Sequence, residues 1–138
     1  MTPSAVPVLV VDDHADTADS TAAVLNAHGF DARPAYSCAG ALQALEDFRP
    51  QVVVLDLRLS DGTGYALATR LERELGYRPA FVVMTGLGGL EGHSRGVGIG
   101  RHLVKPVLPA LLVEAVRISS PRRDEGVHSN GASGDPPV

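Results

Sequence analysis

Val52-Val53-Val54-Leu55-Asp56 is an uninterrupted apolar run, mostly β-branched, that stops on a carboxylate. A run this short, with no polar alternation, reads as a strand buried on both faces, as the strands of a parallel sheet are. Val8-Leu9-Val10-Val11 repeats the pattern and stops on Asp12-Asp13. Phe81-Val82-Val83-Met84 stops on Thr85, and Leu103-Val104 ends at Lys105-Pro106.

Helical patterns fill the intervals. From Ala15 to His28 the apolar positions Ala18, Ala22 and Leu25 recur at helical spacing, and Gly29 supplies a C-terminal stop. Phe30 to Tyr36 reads as a weaker strand. Pro34 inside it has no N–H for a ladder, so this strand belongs at a sheet edge. A second helix is predicted over Ala39–Phe48, closed by Arg49-Pro50. After Asp56 come a turn (Ser60-Asp61-Gly62-Thr63-Gly64), a helix from Tyr65 to Leu75, and punctuation at Gly76 and Pro79. Pro109 opens a last helix carrying Leu111, Leu112, Ala115 and Val116. Alternation of strand and helix along the whole chain predicts an α/β fold with a parallel sheet covered on both faces.

Two stretches break the rhythm. Gly86, Gly88, Gly89, Gly92, Gly96, Gly98 and Gly100 crowd the place of a fourth helix. Each interior glycine costs a helix about 1 kcal/mol relative to alanine, so a short or irregular helix is expected there, with mobility across Gly86–Gly100. From Ser119 to Val138 the chain is rich in Ser, Gly and Pro without apolar periodicity. It reads as a disordered tail behind a domain spanning residues 1–118.

Composition narrows the function classes. A net charge of −4 argues against nucleic acid as the main partner, since phosphate backbones are held by clustered Lys and Arg. No apolar run approaches the roughly 20 residues of a membrane helix, and the first residues lack a signal-peptide layout. Cys38 is the single cysteine, which excludes an internal disulfide and suits a reducing cytoplasm. The histidines show no metal-ligand spacing, and His14 reads as a loop residue.

The polar strand ends carry the chemistry. Open parallel sheets bind ligands beyond the carboxyl ends of their strands, where Asp12, Asp13, Asp56, Thr85 and Lys105 should converge. Packed carboxylates repel unless a cation sits among them, and Mg²⁺ favours a few carboxylates with phosphate oxygens and water. A carboxylate can attack phosphorus to give an acyl phosphate, with Lys105 as a point charge on a phosphate oxygen.

Val8–Asp13, Val52–Asp61 (VVVLDLRLSD), Val82–Gly86 (VVMTG) and His102–Val107 (HLVKPV) together resemble the receiver domains of bacterial response regulators, over about Pro7 to Ile118. The resemblance implies a doubly wound, flavodoxin-like (βα)₅ fold of sheet order 2-1-3-4-5, which puts the Pro34 strand at an edge. It implies Asp56 as phosphoacceptor, and Mg²⁺ held by Asp12, Asp13, Asp56 and the backbone carbonyl of Arg58. Thr85 would be the switch hydroxyl, Lys105 the phosphate contact, and Lys105–Pro106 a cis peptide. The implied partners are a sensor histidine kinase or histidine phosphotransfer protein and an unknown downstream protein, with the domain a monomer or weak dimer and no nucleic acid or membrane involved.

The sequence departs from the family pattern in places. His102 stands where an aromatic switch residue is usual, as in receivers attached to hybrid kinases, and would make readout pH-sensitive. Ser60 replaces a common proline, and the segment from Thr85 to Lys105 is shorter than usual. The leading expectation is a stand-alone, non-enzymatic phosphoacceptor or phosphate shuttle. The alternative is a receiver-like binding module that works without phosphorylation. A phosphatase of the haloacid-dehalogenase type would need a second Asp where Arg58 stands.

Overall fold

A computed structural model describes residues 5–86 and 101–120. Strands β1 (Pro7–Val11), β2 (Asp31–Ala35) and β3 (Val52–Asp56) come first, with helices α1 (Ala15–Ala27) and α2 (Cys38–Ala44) between them. Two short strands, β4 (Arg58–Leu59) and β5 (Gly62–Thr63), form an antiparallel hairpin ahead of α3 (Gly64–Leu75). Then come β6 (Ala80–Thr85), β7 (Arg101–Val104) and α4 (Pro109–Ser119). The main sheet has the order β2-β1-β3-β6-β7, parallel throughout, which is the expected 2-1-3-4-5 once the hairpin is passed over. Pro34 lies in the edge strand β2, as its missing N–H requires.

Every residue of β3 is buried, because each face of the sheet carries helices. Leu9, Val53, Leu55 and Val83 point to one side and pack with Ala41 of α2 and Leu67 and Leu71 of α3. Val8, Val10, Val54 and Val82 point to the other and meet Ala22 and Leu25 of α1 and Leu112 and Val116 of α4. Period-2 alternation thus feeds two cores, and the continuous apolar runs follow from the need to fill both. Each fully buried Val or Leu contributes about 1.5–3 kcal/mol.

Helix ends follow local chemistry. The backbone N–H of Phe30 donates to Leu25 O and that of Gly29 to Asn26 O, both at 3.1 Å. This paired closure of α1 needs the positive φ of Gly29, +94°. Helix α2 ends at Ala44, short of the predicted Phe48. Leu45, Glu46 and Asp47 donate to carbonyls three residues back, so the last turn tightens before Phe48 turns into the core and Arg49-Pro50 leaves the helical path. The predicted turn after Asp56 contains the β4–β5 hairpin, and α3 starts one residue early, at Gly64, capped by Thr63 Oγ1 at 3.1 Å from Ala66 N. The last strand takes in Arg101 and His102 as well as Leu103-Val104.

Ser119 closes α4 and Ser120 is buried beside it, its hydroxyl donating to Val116 O at 2.6 Å, whereas the sequence reading starts the tail at Ser119. The rest of the expected tail, and the short fourth helix and mobility expected within residues 86–100, lie outside the described residues apart from Gly86. Among the described residues no helix is long and apolar enough to cross a membrane.

Candidate functional site

The parallel strands deliver their polar ends to one edge. Asp12 and Asp13 follow β1, Asp56 ends β3, Thr85 ends β6 and Lys105 follows β7. Backbone bonds lock this edge: Asp12 N–H donates to Ala35 O at 3.0 Å, Leu57 N–H to Met84 O at 3.0 Å, and Lys105 N–H to Thr85 O at 2.7 Å. The Lys105–Pro106 peptide is cis. Asp12, Asp56 and Thr85 are all buried.

Lys105 Nζ bridges two of the carboxylates, donating to Asp56 Oδ2 at 3.0 Å and to Asp12 Oδ2 at 3.1 Å. Burial works to lower the pKa of this ammonium, but the hydrogen bonds to Asp56 and Asp12 outweigh it and hold the pKa above its ordinary value. Asp56 Oδ1 accepts from Arg58 N–H at 3.1 Å, and Asp12 Oδ1 from His14 N–H at 2.9 Å. Asp13 Oδ1 is buried without a hydrogen-bond partner; His14 Nδ1 lies 3.3 Å away, outside hydrogen-bond geometry.

Asp12, Asp13, Asp56 and His14 can offer one ligand atom each, all within 4.8 Å of one another. Three carboxylates against one ammonium leave an excess of two negative charges. An orphaned carboxylate oxygen in such a cluster fits a hard divalent cation. His14 was set aside as a loop residue. It does sit in the loop, as the residue before α1 with its side chain 75% exposed, yet its ring reaches the acids. Imidazole suits Mg²⁺ poorly, since that ion prefers oxygen ligands.

Thr85 Oγ1 donates to the carbonyl of its neighbour Gly86 at 3.4 Å. His102 stands on β7, opposite Val83 of β6, and its Nε2 lies 3.1 Å from the Tyr65 hydroxyl on α3. Tyr65 was not singled out from sequence, because a tyrosine in the first turn of a helix carries no mark of which strand it will face. Burial raises its phenol pKa. Cys38 packs at the start of α2, and burial first, then Asp61, pushes its thiol up to about 11. A cleft of about 410 Å³, largely apolar, opens beside Lys105 between Thr17 and Thr21 of α1 and Leu112 of α4.

A doubly wound parallel sheet with an acidic crevice at its carboxyl edge defines a flavodoxin-like domain. A sequence-family model of the response regulator receiver domain matches residues 8–117. The phosphate regulon transcriptional regulatory protein PhoB of Escherichia coli (strain K12) is 32% identical over an alignment covering 94% of this chain and 60% of that protein. The DNA-binding response regulator MtrA of Mycobacterium tuberculosis (strain H37Rv) is also 32% identical, over 86% of this chain and 52% of its own. A CheY-like response regulator receiver domain protein from Methanospirillum hungatei JF-1 superposes with a TM-score of 0.75 at 26% identity, covering 83% of this chain and 93% of that one. The chain belongs to the response regulator receiver domain family, whose members are signalling domains of two-component systems. It spans about half to three-fifths of the length of these two curated relatives.

Proposed function

We propose that this domain accepts a phosphoryl group on Asp56 from the phosphohistidine of a sensor kinase or phosphotransfer protein. The observation that carries the reading is the Lys105 ammonium held between Asp56 and Asp12, at 3.0 and 3.1 Å, in the crevice of the family's fold. An Asp56 carboxylate oxygen attacks phosphorus as the bond from phosphorus to the donor nitrogen breaks, and the freed imidazole leaves with the electron pair. Lys105 is then placed to follow charge onto a phosphoryl oxygen, and Thr85, one residue beyond the Met84 that pairs with Asp56, would hydrogen-bond another. Asp12, Asp13, Asp56 and the Arg58 carbonyl would hold Mg²⁺, which when bound offsets charge on the phosphoryl group. The cleft beside Lys105 suits an apolar side chain of the donor protein.

Its output would pass through contact with another protein, in a reducing compartment that suits the free Cys38. PhoB is named a transcriptional regulator and MtrA a DNA-binding one. The net charge of −4 here supports protein contact, rather than nucleic acid, as the work of this domain itself. Incubation with acetyl phosphate and Mg²⁺ should add one phosphoryl mass to the chain. Asp56→Asn should take up none, and an equal gain in that variant would refute the assignment.

A further inference from the structure

Asp56 is followed by a hairpin whose tip is fastened to a different element. Asp61, at the turn between β4 and β5, accepts from Cys38 N–H at 2.8 Å through Oδ1 and from Ala39 N–H at 3.2 Å through Oδ2. These amides open α2 and have no partner within the helix. Ser37 Oγ takes the next free one, from Gly40, at 2.9 Å. One carboxylate thus spans consecutive amides, and its negative charge suits the positive end of the helix. The amide hydrogen bond from Cys38 holds the Asp61 carboxyl below its ordinary pKa. Gly62 closes the joint: its φ is +155°, and a Cβ there would sit 3.1 Å from Cys38 Sγ.

The base of the same hairpin belongs to the site. Leu57 O accepts from Gly64 N–H at 2.8 Å, and Arg58 N–H donates to Asp56 Oδ1 at 3.1 Å. Arg58 pairs with Thr63 across the hairpin, so the tip and the acceptor are joined by a short, hydrogen-bonded ribbon. We propose that Asp61 is a positioning residue. By clamping the hairpin to the first turn of α2 it sets the Arg58 peptide, whose N–H orients Asp56 and whose carbonyl is the expected cation ligand. The inference rests on the phosphoacceptor reading and adds a residue that touches neither cation nor phosphoryl group.

The test is calorimetric titration of the full chain with Mg²⁺, with thermal midpoints measured in parallel. Asp61→Ala should weaken Mg²⁺ binding about tenfold, the scale of losing a group that orients a ligand. Asp61→Asn, which keeps one acceptor oxygen, should fall between. Ser37→Ala serves as the structural control: it removes a cap from the same turn without touching the hairpin. It should lower the thermal midpoint while leaving the Mg²⁺ Kd unchanged. An unchanged Kd in Asp61→Ala, or an equal loss in Ser37→Ala, would overturn the inference while the phosphoacceptor reading stood. A wild-type chain that binds no Mg²⁺ would overturn that reading itself, and the inference with it.

Discussion

Asp13 places an unpartnered carboxylate oxygen among two other carboxylates, an arrangement that burdens the fold unless a cation joins it. Its buried Oδ1 has no hydrogen-bond partner and faces like charges on Asp12 and Asp56. Asp13→Asn should therefore raise stability without metal by about 1 kcal/mol, since it removes repulsion at modest effective dielectric. If the cluster holds Mg²⁺ as proposed, binding should stabilise the wild type by about 2.7 kcal/mol at a hundredfold excess over Kd, and the same change should remove that gain. Denaturant melts with and without Mg²⁺ check both halves; a variant less stable than wild type in the absence of metal would contradict the account. Residues of this kind were legible in sequence. Asp12, Asp13, Asp56, Thr85 and Lys105 each mark the point where an apolar strand stops, and parallel strands of one sheet must stop at the same edge.

At the scale of elements, the crevice depends on how closely α3 approaches the end of β3. A Cβ on Gly64 would lie 2.6 Å from Asp56 O, 2.8 Å from Leu55 Cδ1 and 3.1 Å from Leu57 Cα. Two of those atoms are backbone and cannot step aside as a side-chain tip can. Gly64→Ala should cost about 1–3 kcal/mol, the range for overpacking a tight contact, and, if Asp56 is the acceptor as proposed, should slow phosphoryl uptake by displacing the Asp56 peptide. Uptake at the wild-type rate, measured by mass spectrometry, would show that the approach can relax without moving the acceptor. The β4–β5 hairpin and the shortened α2 were not legible. Arg58-Leu59 and Gly62-Thr63 are too short to show alternation, and the early tightening of α2 follows from Phe48 being drawn into the core.

For the whole molecule, the charge of several groups is tied to the folded state, and the signs differ between acid and base. Cys38, pushed up to about 11, and Lys105, also raised, stabilise the fold while protonated. Their contributions are complete below the unfolded pKa of each group and are lost as pH rises through the folded one. Asp61, lowered, contributes above its ordinary pKa and loses that contribution as pH falls through the folded value. The thermal midpoint should hold near neutrality and decline as pH approaches the Cys38 value of about 11. Cys38→Ala should flatten part of that alkaline decline. A decline of the same steepness in the variant would remove Cys38 from the explanation.

The strand frame, the edge position of the Pro34 strand and the residues that meet at the carboxyl edge can all be read from the order of residues alone. Those follow from local rules: apolar runs must be buried, proline cannot donate, and parallel strands point the same way. Packing in three dimensions is what makes Lys105 bridge Asp56 and Asp12, brings Tyr65 to His102, and lets Asp61 fasten the β4–β5 hairpin to α2. Each of these joins residues far apart in the chain, and their distances depend on how helices seat on the sheet. Side-chain packing sets that seating, and no local pattern of residues encodes it.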